Sequence, residues 1–140
     1  MYKSVTAEEA VKVIKSNSRV YLQAAAAVPQ VLINAMTARH EELKNVEVCQ
    51  LHTEGEAPYA NPELHESFHV NSFFIGKNVR HTLKAGNGSY TPVFLSELPL
   101  LFKRNIIEYS ICKQENILKH NRNIFPQFSF IYFFYINSIN

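Results

Sequence analysis

Cysteine is scarce: Cys49 and Cys112 are the only two in 140 residues, far apart and in no C-x-x-C spacing. There is no disulfide framework to read, and a reducing, cytoplasmic setting is the expectation. A charge excess of either sign is missing too, since Lys plus Arg outnumber Asp plus Glu by only +2. The basic residues are scattered, which argues against a nucleic-acid surface. No signal-peptide pattern opens the chain. The aromatic run from Ile124 to Ile136 is too short to cross a bilayer and contains Pro126 and Gln127, so no membrane partner is expected. What is present, 46% hydrophobic and 19% charged residues, suits one globular domain with a real core.

Thr6-Ala7-Glu8-Glu9 has the S/T-x-x-E spacing of a capping box and predicts a helix start, with Ala7, Ala10, Val11 and Ile14 on one face. Ser16-Asn17-Ser18 ends that pattern. Arg19 to Gln23 reads as a short buried strand, Ala24 to Ala27 as a loop of small residues, and Pro29 as a first-turn residue of a second helix. Val31, Leu32, Ala35, Met36 and Leu43 supply its apolar face, and Asn45 its stop. Val46 to Leu51 alternates apolar and polar, completing a β-α-β unit with parallel pairing and a right-handed crossover.

Thr53 to Glu66 is a long, acidic, turn-rich connection. Phe68 to Ile75 predicts another strand, Gly76 a break, and Asn78 the cap of a short helix through Ala85 that Gly86 ends. Gly86-Asn87-Gly88 reads as a turn. Tyr90 to Leu95 predicts a further strand, and Ser96 the cap of a helix over Leu98, Leu100, Leu101 and Phe102 that closes on Lys103 and Arg104. The repeated alternation predicts an α/β fold with an open, mostly parallel sheet and flanking helices.

From Asn105 the composition changes. Residues 105–140 contain no Ala, Gly, Val, Asp, Thr or Met and are crowded with Asn, Ile, Ser, Tyr and Phe. The missing types mostly have G-initial codons and the abundant ones AT-rich codons. The expectation is a tail read from a shifted frame or from non-coding sequence, and its aromatic β-prone run is an aggregation hazard.

Loops at the carboxyl ends of strands are where open α/β sheets bind ligands, which makes Ala24, Ala25, Ala26, Pro29 and Gln30 the first candidates for substrate contact. Gly76, Asn78 and Arg80 form a second set, where a strand end meets a helix start beside Lys77 and could receive a phosphate or carboxylate. His65-Glu66-Ser67-Phe68-His69 matches H-E-x-x-H, a zinc pattern on a helix. Here it is followed by a β-patterned run and preceded by Asn61-Pro62, with no third ligand indicated by spacing, so no metal site is expected. Glu54, Glu56, Glu63 and Glu66 read as a solvated face rather than as general acids or bases.

Taken in order, TAEEAVKVIKS, AAAAVPQVLINAM, LKNVEV, LHTEGEAPYANPE, VNSFFIGKNVR and YTPVFLSELPLLFKR resemble the amino-terminal domain of the acetyl-CoA hydrolase/transferase family. That family includes acetate, succinyl and 4-hydroxybutyrate CoA-transferases. The resemblance runs over residues 2–107. It implies two similar α/β domains with acyl-CoA handled in the cleft between them, coenzyme A thioester as substrate and no separate cofactor. It also implies CoA transfer to a small carboxylate such as acetate, through attack on the thioester by a glutamate of the second domain.

No residue of this chain matches that glutamate, so none is named catalytic. The family's loop usually begins with glycine and has threonine before the proline, where this chain has Ala24 and Val28. After Ile107, EYSICKQENILK replaces the family's further strand and Pro-rich turn. The expectation is an incomplete amino-terminal domain at 1–107 and a non-family, frameshifted or disordered tail at 108–140. The chain would then be a truncated, inactive CoA-transferase fragment, prone to self-association through apolar surface where the second domain would pack. The alternative is a stand-alone CoA-binding or acyl-binding module that pairs with a separate second domain.

Overall fold

In the computed structural model, which describes residues 5–25, 27–104, 106–112 and 116–119, the Thr6 hydroxyl accepts from the Glu9 N–H at 3.2 Å. The Glu9 carboxylate reaches back to the Thr6 N–H, so the predicted capping box forms. It starts α1 (Ala7–Ala10), which tightens at once into a 3-10 turn over Val11–Val13. Val11 and Ile14 are this segment's contribution to the core.

Among the described residues six strands make one sheet: β1 (Arg19–Leu22), β2 (Val46–Gln50), β3 (Phe68–Ser72), β4 (Gly88–Tyr90), β5 (Tyr109–Cys112) and β6 (Asn116–Lys119), in the order β4-β3-β2-β1-β5-β6. The first five run parallel to their neighbours, and β6 returns antiparallel against β5. The helices α2 (Gln30–Ala38), α3 (Arg80–Ala85) and α4 (Leu98–Lys103) lie between strands in the chain. The open, mostly parallel sheet is therefore as predicted. Among the described residues no helix is long and apolar enough to cross a membrane.

Side chains alternate across the sheet and feed two cores. Val20, Leu22, Val46, Val48, Phe68, Val70, Tyr109 and Ile111 pack in one cluster with Leu32, Ile33 and Met36 of α2. The other parity, Tyr21, Cys49 and Phe73, meets Leu98 and Phe102 of α4 with Ile107. The Tyr21 ring stands edge-on to Phe102, with centroids 5.3 Å apart, and stacks on Phe73 at 6.4 Å.

Cys49 is 2% exposed, and burial, reinforced by the nearby Glu47 carboxylate, pushes its thiol up to about 12. The folded value lies above the ordinary one, so this contribution to stability is present at neutral pH. It is lost between the ordinary value of 9.0 and about 12, where the unfolded chain ionises first. We expect Cys49 to resist alkylation in mildly alkaline buffer and to react once denaturant is added, read by peptide mapping. Labelling at equal rates in both conditions would contradict the burial.

Several expected boundaries move for physical reasons. The second helix ends at Ala38 instead of continuing past Leu43. Arg39 turns its guanidinium onto the carbonyls of Val11 and Ile14, and Leu43 is buried just after the turn that follows. Asn45 takes the left-handed φ of 54° just before β2. Pro29 is the residue before α2, not inside its first turn. The third strand ends at Ser72, three residues short of Ile75.

The strand expected over Tyr90 to Leu95 is instead Gly88–Tyr90, which also absorbs part of the predicted Gly86-Asn87-Gly88 turn. Pro92 cannot donate to a ladder, and Leu95–Glu97 is a 3-10 turn. Ser96 sits within that turn and caps nothing; Glu97 precedes α4 without a side-chain cap. Asn78 is not the cap of α3, because Val79 holds that position.

The sheet also passes the compositional boundary. β5 begins beyond Ile107, lies between β1 and β6, and buries Tyr109, Ser110 and Ile111. The aromatic run from Ile124 to Ile136 lies outside the described residues.

Candidate functional site

Chain order steps outward from β1 to β4 and then returns to the far side of β1 with β5. Such a reversal opens a crevice outside the carboxyl ends of the two strands, the usual ligand seat of open α/β sheets. The loop leaving β1 lies there. Gln23 N–H donates to Ile111 O at 3.0 Å, and Ala25 N–H to His52 O at 2.8 Å, so the loop is anchored to the ends of both neighbouring strands.

Ala25 carries φ 53° and bridges Thr53. A left-handed conformation costs a residue with a Cβ about 1 kcal/mol, and it falls on Ala25 rather than on Ala24, which is half-buried. Strain of this kind concentrates where a backbone must meet a ligand. Ala26 lies outside the described residues. Pro29 is buried, and its carbonyl accepts from Ile33 N–H at 3.0 Å.

The loops after β2 and β3 form the adjoining wall. Gln30, opening α2, donates from Nε2 to Glu56 O at 3.2 Å and to Asn34 Oδ1 at 3.0 Å. Asn78 donates from Nδ2 to Gly55 O at 2.5 Å and to Thr53 O at 3.2 Å, lacing one loop to the other. Gly55 has φ +89°, and a Cβ there would stand 3.3 Å from Gln30 Oε1. Gly76 is buried, with the site of its missing Cβ 3.4 Å from His52 Nδ1. His52 in turn holds Glu54 at 2.8 Å. Arg80 and Lys77 are exposed, with no carboxylate partner among the described residues.

Sequence reasoning missed the buried network beneath these loops. Gln50 is fully buried; its Nε2 donates to Ser72 Oγ at 2.8 Å and to Phe74 O at 3.2 Å, and its Oε1 accepts from the Thr53 hydroxyl at 3.1 Å. Thr53 and Tyr59 hydroxyls meet at 2.9 Å. Burial pushes the Tyr59 phenol up to about 12 against the opposing Thr53 hydrogen bond, so it keeps its proton at neutral pH. The signal was present in β2, where Gln50 shares parity with Val46 and Val48 and must therefore point into the apolar face.

The H-E-x-x-H stretch is divided between elements. His65 lies in a turn and bonds Pro62 O at 3.0 Å, whereas His69 lies in β3 and bonds Ser89 Oγ at 3.0 Å. Glu66 pairs with Lys44 at 3.0 Å, which lowers its pKa. At the opposite end of the strands, Asn17, Arg19, Asn45, Glu47, Ile106 and Glu108 line an open depression of about 210 Å³. Its charges are already paired, Arg19 with Glu47 and the Arg19 N–H with Glu108 at 3.2 Å. That depression reads as structural.

The family model of the acetyl-CoA hydrolase/transferase N-terminal domain matches residues 1–120. The chain belongs to this family. The match includes β5 and β6 and so runs past the boundary expected at Ile107. Over 100 residues the chain is 35% identical to the succinyl-CoA:acetate/propanoyl-CoA:succinate CoA transferase of Fasciola hepatica, covering 70% of this chain and 20% of that protein. Over 101 residues it is 34% identical to the 4-hydroxybutyrate coenzyme A transferase of Clostridium kluyveri, covering 72% and 24%. The chain therefore spans a fifth to a quarter of the length of these relatives.

Two solved structures share the fold of this family member. RipA from Yersinia pestis superposes with a TM-score of 0.66 at 23% identity, over 77% of this chain and 28% of that one. A 4-hydroxybutyrate CoA-transferase from Porphyromonas gingivalis gives 0.56 at 24% identity, over 77% and 24%.

Proposed function

We propose that these residues form the amino-terminal wall of an acyl-CoA cleft in a CoA-transferase that moves CoA between an acyl-CoA and a small carboxylate such as acetate. The observation that carries this is the strained Ala25 loop at the strand-order reversal, backed by the Gly55 and Gly76 loops. Membership of the family and the CoA-transferase names of the two relatives support it.

Acyl transfer to a carboxylate needs a carboxylate nucleophile held against the thioester and donors for the developing oxyanion. Glu54 and Glu56 do not meet the first need: both are exposed, Glu54 is paired with His52, and Glu56 serves the wall through its main-chain carbonyl. On this reading the nucleophile comes from a second domain, and these 140 residues alone bind CoA without releasing it from acetyl-CoA. Val31 of α2 is 55% exposed and Phe74 46%, both at the carboxyl-end rim, and Phe94 is 75% exposed. Apolar surface of this kind favours a packed partner domain and, in its absence, self-association.

Calorimetric titration with CoA, run beside a thiol-release assay on acetyl-CoA, tests both halves. Binding without turnover is the expected result. Turnover would overturn the need for an outside nucleophile, and absence of binding would overturn the cleft reading. The setting proposed is the cytoplasm.

A further inference from the structure

Asn87 is 5% exposed, yet neither its Oδ1 nor its Nδ2 has a hydrogen-bond partner among the described residues. Buried side-chain amides are ordinarily satisfied, and one that is not is held by packing alone. It lies between the helix-ending Gly86, at φ +82°, and Gly88, the first residue of β4. β4 has three residues and, among the described residues, pairs only with β3 and stands at the edge of the sheet.

Gly88 is required where it is, since a Cβ would lie 2.2 Å from Thr82 Oγ1. In the parallel ladder Val70 N–H bonds Asn87 O at 3.0 Å, which turns the Gly88 N–H outward to the open edge. The fold thus places an unanchored asparagine amide before the least hindered backbone nitrogen a chain can offer. Short edge elements also open locally far more often than the whole fold.

We infer that Asn87-Gly88 is a site of spontaneous covalent modification that unlatches β4. In the opened segment the Gly88 nitrogen, losing its proton to solvent base, attacks Asn87 Cγ. A C–N bond forms, the Cγ–Nδ2 bond breaks, and ammonia leaves a succinimide. Water then opens the ring at either carbonyl to give aspartate or isoaspartate, with no oxidant or reductant involved. Among the described residues no hydrogen-bond partner meets the Asn87 side chain, so a new carboxylate would be buried unpaired and reclosure of β4 is disfavoured. The change is one-way.

The test is incubation of the full chain in mildly alkaline buffer with peptide mapping for amide-to-acid exchange. Asn17-Ser18 and Asn71-Ser72 serve as internal references. Conversion at Asn87 several-fold faster than at either reference, with isoaspartate present, is the expected result. Equal or slower conversion at Asn87, or none, overturns the inference. Asn87→Gln, whose longer side chain cyclises poorly, should abolish the fast site while keeping the fold. Asn87→Asp tests the latch separately: faster amide hydrogen exchange confined to residues 86–91 is expected, and exchange equal to the parent protein overturns the unlatching.

Discussion

Replacing Gln50 by leucine is expected to destabilise the protein by about 3 kcal/mol, although leucine fills a similar volume and belongs on an apolar face. The loss arises from the partners left behind. Ser72 Oγ and Phe74 O lose their donor, and the Thr53 hydroxyl keeps only Tyr59. Ser72 is 1% exposed and Thr53 4%, so water cannot replace the glutamine without opening the structure around it. Urea unfolding should show a lower midpoint at unchanged slope, the mark of lost stability without a changed unfolded state. CoA affinity should fall with it, because Gln50, beside Asn78, ties the loop after β2 to the loop after β3. Gln30→Ala, which removes hydrogen bonds at an exposed rim, should cost under about 1 kcal/mol. Equal effects of the two substitutions would show that the buried network is not what holds the wall.

The parts of the fold that were legible in the sequence are those written in local chemistry. The Thr6–Glu9 capping box, the Gly86 helix end and the alternation of Val46 and Val48 each needed only neighbours within a turn or a pleat. The errors lie where a distant partner outbid a local preference. Asn78 is a good helix cap by type, but the carbonyls of Thr53 and Gly55 engage its amide. α2 stops early because Arg39 has the carbonyls of Val11 and Ile14 to satisfy. Of the candidate site, the position of the Ala24–Gln30 loop was readable from strand, small residues and helix. The strain at Ala25 was not, since it depends on where His52 and Thr53 lie in the neighbouring strand's loop. Tyr59 shows the same limit: its loop is polar and acidic, and only the fold reveals it as 0% exposed.

Composition was the least reliable guide to where the fold ends, and Ile111→Ala puts that to measurement. Ile111 comes after the change at Asn105 and would be dispensable if that change marked the edge of the domain. In the structure it is 0% exposed, pairs in register with Leu22 of β1, and belongs to the main core. Truncating a fully buried isoleucine removes its transfer free energy and leaves a cavity in surroundings that relax only in part, a loss of about 3 kcal/mol. β5 also sets the strand-order reversal, so the same substitution should loosen the Gln23 N–H to Ile111 O contact that anchors the Ala25 loop. A urea midpoint lowered as far as that of Gln50→Leu would place residues 109–112 within the cooperative unit. A midpoint equal to the parent protein would make β5 an appendage, and the crevice between β1 and β5 would then lose its claim as the ligand seat.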